Sequence, residues 1–152
     1  MHKMFVALAL AVLTSTTAAG SERRDVMAVV RQWTSVFSMG NSQNALAACA
    51  DETSIIDDIP PHEWHGNGAC LKWLNDLNAY VKSEKLSDVM CILLKPWNVV
   101  ITADRAYVAV PVDFTYKQGG KDMKALGSLL SVALRKDATG WRIIGWAIAA
   151  RP

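Results

Sequence analysis

RAYVAVPVDFTYK, the stretch from Arg105 to Lys117, decides the fold. Ala106, Val108, Val110, Val112, Phe114 and Tyr116 fall on one side of an extended chain. Tyr107, Pro111, Asp113 and Thr115 fall on the other. A period of two with one wholly apolar side is a strand that packs on other elements. Working outward, Val89–Thr102, Asp122–Lys136 and Trp141–Ala149 read as three further long strands. Ala103-Asp104, Gln118-Gly119-Gly120 and Asp137-Ala138-Thr139-Gly140 supply the turns between them, and loops this short join antiparallel neighbours.

Upstream the period changes. Val26, Val29, Val30, Trp33, Val36 and Phe37 recur at three- and four-residue steps, which predicts an amphipathic helix from Glu22 to Met39 that stops at Gly40-Asn41. Ser42 caps a short helix through Ala50, with Ala45, Leu46 and Cys49 facing inward. Thr53–Ile59 is a short strand stopped by Pro60-Pro61, which cannot extend a ladder. Asn67 opens a third helix whose stripe is Cys70, Trp73, Leu74, Leu77 and Val81. Helices first and antiparallel strands after predict an α+β domain with the helices on one face.

The chain has 152 residues, enough for one domain that buries a real core. A formal charge of +2 excludes electrostatic binding to nucleic acid, and six Trp with a charged fraction of 20% exclude disorder. Met1–Lys3 is weakly basic, Met4–Leu13 is an unbroken apolar run, and Thr17 and Ala19 suit a cut before Gly20. We therefore expect residues 1–19 to be a signal peptide and 20–152 the mature domain, periplasmic or secreted. Ten apolar residues make only ~15 Å of helix, too short for an anchor, so no membrane partner is expected after cleavage. Three Cys, at 49, 70 and 91, cannot all pair within one chain. A bridge between Cys49 and Cys70 is open, but we favour free buried thiols behaving as small hydrophobes.

Several segments carry a family resemblance. They are W-x3-F-x2-G-N at Trp33–Asn41, D-E-T-S-I-I-D-D at Asp51–Asp58 and P-P-H-E-W-H-G at Pro60–Gly66. D-R-A-Y-V at Asp104–Val108 and G-W-R-I-x2-W-A at Gly140–Ala147 complete the set. In order and spacing the chain resembles the nuclear transport factor 2-like superfamily, in its SnoaL-like (polyketide-cyclase-like) and ketosteroid-isomerase-like branch. The resemblance implies a cystatin-like α+β barrel, a cone-shaped curved antiparallel sheet wrapped by three N-terminal helices. It further implies an apolar pocket at the open end and frequent dimerisation through the outer sheet face. Because the fold hosts isomerases, cyclases, dehydratases, hydrolases and binding modules alike, it does not choose among them.

By position within the resemblance, Asp57 matches the proton-moving aspartate of the isomerases, Trp33 stands where their Tyr would be, and Ser131 where their second acid would be. Each lost oxyanion donor typically costs ~10²–10³ in rate, so steroid isomerisation is not expected. Ile55 and Ile59 share a strand side with Asp57, and apolar surroundings raise a carboxyl towards a useful base. Ile56 gives Asp58 a similar claim, and both acids could simply bind backbone at the Pro60-Pro61 corner. His62, Glu63, Trp64 and His65 form a polar-aromatic loop over the expected pocket mouth, where His62 could assist Asp57.

The reading we favour is therefore a pocket for a small apolar or carbonyl-bearing molecule, lined by Trp33, Phe37, Ile55, Trp64, Phe114 and Trp146. The alternatives are an isomerase or dehydratase-like lyase using Asp57 and His62, and a ligand-free module dimerising through the face of Tyr107, Pro111, Asp113 and Thr115. No cofactor is expected. H-E-W-H lacks the spacing of a zinc helix, and no metal is expected.

Overall fold

A computed structural model of the chain describes residues 13–38 and 42–151. Helix α1 (Leu13–Thr34) ends in a 3-10 turn at Ser35–Phe37 and is followed by helix α2 (Ser42–Leu46). Strands β1 (Cys49–Ile56) and β2 (Glu63–Asn67) precede helix α3 (Ala69–Ser83). Strands β3 (Leu86–Leu93), β4 (Asn98–Thr102), β5 (Arg105–Gln118), β6 (Lys121–Asp137) and β7 (Gly140–Ala149) complete the chain. The sheet runs β2-β1-β7-β6-β5-β3, with β4 also on β5, and it is curved and unclosed. Every pairing is antiparallel except β1 with β7, so the sheet is mixed. This is the expected α+β cone, with β1 and β2 set before α3; the parallel β1–β7 pair departs from the wholly antiparallel sheet expected.

The inward side of β5 is buried as its pattern requires, although Ala109 and Pro111 on the other side are buried as well. Ala106, Val108, Val110 and Val112 are buried against the helices, and from β6 Leu130, Val132 and Leu134 join them. Val26, Val30 and Trp33 on α1 and Trp73 on α3 meet this face. The rings of Trp33, Trp73 and Trp146 pack with centroids 4.8–5.5 Å apart. Such aromatic pairs contribute about 0.5–1.5 kcal/mol each beyond the area they bury.

Four local expectations are corrected. The predicted strand Val89–Thr102 is two strands, because Pro96 has no N–H to give the ladder. Leu94 N and Trp97 N bond to Pro111 O and Ala109 O on either side of the break. The second helix stops at Leu46, and Cys49 and Ala50 already belong to β1. The loop expected at His62–His65 is largely edge strand β2, paired with β1 from Ile56↔Glu63 to Glu52↔Asn67. Cys49 and Cys70 are bridged, S–S 2.10 Å, tying the start of β1 to the first turn of α3, and Cys91 is free. The bridge left open by the sequence is formed, and the free buried thiols we favoured are limited to Cys91. The proposed stop at Gly40-Asn41 and leader residues 1–12 lie outside the described residues.

Two glycines shape the sheet. Gly145 sits opposite Ser54 in the parallel β1–β7 pair, where a Cβ would come within 3.1 Å of Ser54 O. Gly127, at φ +75°, forms a bulge in β6 opposite Asp113, whose Oδ1 accepts its N–H at 2.7 Å.

Candidate functional site

Alternation along β1 carries beyond its last paired residue. Thr53, Ile55, Asp57 and Ile59 are buried, while Ile56 is 58% exposed and Asp58 also faces out of the core. Asp57 is 8% exposed, and its carboxyl is held from two sides. Oδ1 accepts the Asp58 main-chain N–H at 2.7 Å, and Oδ2 accepts the indole N–H of Trp73 at 2.7 Å. Burial pushes the Asp57 carboxyl up to about 7, and the neighbouring Asp58 side chain and its charge push the same way. The Trp73 and Asp58 N–H groups pull it down, but the loss of water outweighs them.

Asp57 opens on a cavity of about 550 Å³ between α3 and the inner face of the sheet, within the size range of small-molecule sites. Phe37, Leu74, Leu77, Phe114 and Ile148 make its walls largely apolar. Asp58, Tyr80, Tyr116 and Ser128 add polar groups to the same wall. Burial raises the Tyr80 phenol, and the negative fields of Glu84, Asp58, Tyr116 and Asp57 raise it further. A buried carboxyl poised near neutrality beside phenols and a hydroxyl can hold, give or take a proton.

The structure divides the expected site residues. Phe37 and Phe114 line the cavity in edge-to-face contact, centroids 5.2 Å apart, and Asp57 lines it with them. Trp33, Ile55 and Trp146 face inward as expected but lie in the packed core rather than along the cavity wall. Trp64 is also buried, its indole N–H donating to Asp76 Oδ2 at 2.7 Å and pinning β2 to α3. His62 is exposed and does not line the cavity. Its ring Nδ1 lies 3.3 Å from the main-chain oxygen of Asp57, not from the carboxyl, so the expected His62–Asp57 pair is absent. The turn at Ile59–His62 carries the imidazole outward, with His62 N bonded to Ile59 O.

Ser131 is corrected as well. It projects from the outer face of the sheet, its hydroxyl 3.4 Å from that of Tyr107, and the inward serine is Ser128. Tyr80 went unnoticed although it sits seven residues after Trp73 and three after Leu77, on the same helical stripe. Among the described residues, no group of three or more His, Cys, Asp or Glu is placed to hold a metal.

Three helices folded over a curved sheet, with a cavity between them ending on a buried acid, define the nuclear transport factor 2-like, cystatin-like architecture. A protein of that family from Novosphingobium aromaticivorans superposes with a TM-score of 0.75 at 12% identity, over 93% of this chain and 90% of that one. A superfamily member from Salmonella enterica serovar Typhimurium gives 0.72 at 14% identity, over 88% and 94%. A ketosteroid isomerase-like protein from Erwinia carotovora atroseptica gives 0.66 at 18% identity, over 86% and 97%. No family model and no curated protein matches the chain in sequence. The chain thus has the nuclear transport factor 2-like fold.

Proposed function

We propose that this chain is an exported pocket protein, its residues 1–19 a cleaved leader and its residues 20–152 a binding domain for a small apolar or carbonyl-bearing molecule. The observation behind this reading is the cavity itself, apolar along most of its wall and carrying one deeply buried carboxyl. Thermal unfolding of residues 20–152 against steroids, polyketide-like ketones and other apolar molecules tests it. A ligand at 100 times its Kd should stabilise by ~2.7 kcal/mol. No shift across a broad panel rejects the pocket.

Catalysis is the further step within this reading. The Asp57 carboxyl, pushed up to about 7 in an apolar cavity, has the proton affinity of a general acid or base near neutrality. We infer an isomerase or lyase role in which Asp57 acts without His62, whose ring is held elsewhere. Deuterium exchange next to the carbonyl of a bound ketone, present in the natural chain and lost in Asp57→Asn, is the expected result. Equal exchange in the two proteins overturns it.

A second reading concerns the outer face of the sheet, where Met90, Ile92, Val100 and Tyr107 are exposed and Trp97 is 71% exposed beside them. An apolar surface of this kind on a soluble domain marks an interaction site. We propose that a second copy of the chain covers it, bringing together the faces that carry Tyr107 and Trp97; Pro111, expected on this face, is itself buried and Asp113 is engaged with Gly127 N–H. A dimer by sedimentation that separates in Trp97→Lys supports this, and a monomer at all concentrations refutes it.

A further inference from the structure

We propose that the molecule held in this cavity is a hydrophobic amine, bound as its cation against Asp57 and Asp58 with its apolar body among Phe37, Phe114, Tyr80 and Tyr116. This rests on the pocket reading above but changes the head group of the ligand from a carbonyl to an ammonium.

The charge on the wall carries the argument. Asp57, Asp58 and Asp88 line the cavity, and among the described residues no Lys, Arg or His lines it with them. Asp88 already has a partner, Lys117 Nζ at 3.2 Å. Among the described residues neither Asp57 nor Asp58 makes an ion pair. The Asp57 oxygens are held by two N–H dipoles instead, which orient the carboxyl without neutralising it. A buried carboxylate without a counter-charge is costly, and proteins ordinarily supply one. Here a ligand can supply it. The same wall disfavours carboxylates and phosphates, which would meet like charge without a cation to offset it.

The remaining surfaces suit such a head group. Four aromatic rings line the cavity, and an ammonium over an aromatic face gains cation–π attraction once water is excluded. The titratable groups that line the cavity with Asp57 are Asp58 on the same loop, Tyr80 from α3, Tyr116 from β5 and Asp88 from β3. His62 reaches only the main-chain oxygen of Asp57. Among the described residues none of the cavity groups is cationic, so a bound ammonium becomes the counter-ion of this acid cluster. Binding then favours ionised Asp57 and expels its proton, consistent with a free carboxyl poised at about 7.

Three probes of one shape test this, naphthylethylamine, naphthylethanol and naphthylacetate, titrated calorimetrically into the full domain at pH 7 in two buffers of different ionisation enthalpy. The amine should bind about ten- to a hundredfold more tightly than the alcohol, the range of one hydrogen bond to a charged group. Naphthylacetate should bind more weakly than the alcohol. The amine should release about half a proton per site, because a group with a pKa near 7 is half protonated at that pH. The alcohol should release none. Asp57→Asn should remove the proton release and most of the preference for the amine over the alcohol. Asp58→Asn, at an exposed position, should narrow the preference and shrink the proton release, because the Asp58 side chain helps hold the Asp57 carboxyl up. Alcohol binding as tight as the amine, or amine binding without proton release, overturns the inference and leaves the pocket standing. Binding by none of the three overturns both.

Discussion

Replacing Asp57 by Asn should stabilise the protein in alkali and slightly destabilise it in acid. The native carboxyl rises from 3.8 to about 7, so the folded chain binds this proton more tightly than the unfolded chain. Its contribution is therefore complete below pH 3.8, is lost as the pH climbs through about 7, and is constant above that. At about 1.4 kcal/mol per pH unit the interval corresponds to about 4 kcal/mol, the amount by which ionised Asp57 burdens the fold at pH 8. Asparagine removes that burden. Its amide oxygen can still accept the Trp73 N–H, but its NH₂ group then faces the Asp58 N–H and one hydrogen bond is lost, about 1 kcal/mol. The net expectation is a gain of about 3 kcal/mol at pH 8 and a loss of about 1 kcal/mol at pH 4, read by urea unfolding of both proteins at each pH. The change of sign is the signature. If Asp57→Asn is destabilised equally at pH 4 and pH 8, the carboxyl titrates normally, and the argument from burial is wrong.

Other perturbations separate the parts of the structure. Trp73→Phe keeps an aromatic ring but removes the N–H that favours the ionised acid, so Asp57 should titrate higher than in the natural chain, as followed by carboxyl NMR. Replacing Cys49 and Cys70 together by Ser opens a loop of 21 residues and should lower stability by about 3 kcal/mol, measured by urea unfolding without reductant. Gly127→Ala forces a Cβ onto a residue at φ +75° and against Arg151 at 3.4 Å, and should cost about 1–2 kcal/mol.

Legibility followed the range of the physics. The long strands were readable because alternation is local, and residues such as Val108 and Val110 declare their side without reference to any partner. Alternation put Asp57 and Asp58 on opposite sides of β1 without saying which side is inward, and the structure buries Asp57 beside Ile55 and leaves Ile56 exposed. Strand β2 was not readable, because in Glu63–Asn67 only Trp64 is fully buried, and one inward residue gives no period. Cys49 sits in a run of small residues, Ala47-Ala48-Cys49-Ala50, that a helix and a strand accept equally. The aromatic residues taught a different limit. Trp33 and Trp146 were rightly read as inward, but whether an inward side chain plugs the packed end of the cone or lines its cavity depends on where two elements diverge. Tyr80 and Tyr116 reach the cavity for that reason, and no local pattern encodes it.

Trp73 is where core and site become one problem. Its ring packs against Trp33, Phe37 and Trp146, so its position is fixed by the tightest part of the core. Its N–H then reaches Asp57 at 2.7 Å from a place that cannot adjust when the carboxyl changes charge. A donor preorganised in this way favours the ionised acid, yet burial by the same packing favours the neutral one, and the balance falls near neutrality. Changes in the core that loosen the indole should therefore shift the proton affinity of Asp57 without touching the cavity wall. Among the described residues the wall offers no cation of its own, so a bound ammonium would favour ionised Asp57 and a neutral guest its protonated form. The packed end of the cone sets the acid near its midpoint, and the open cavity leaves the outcome to the ligand.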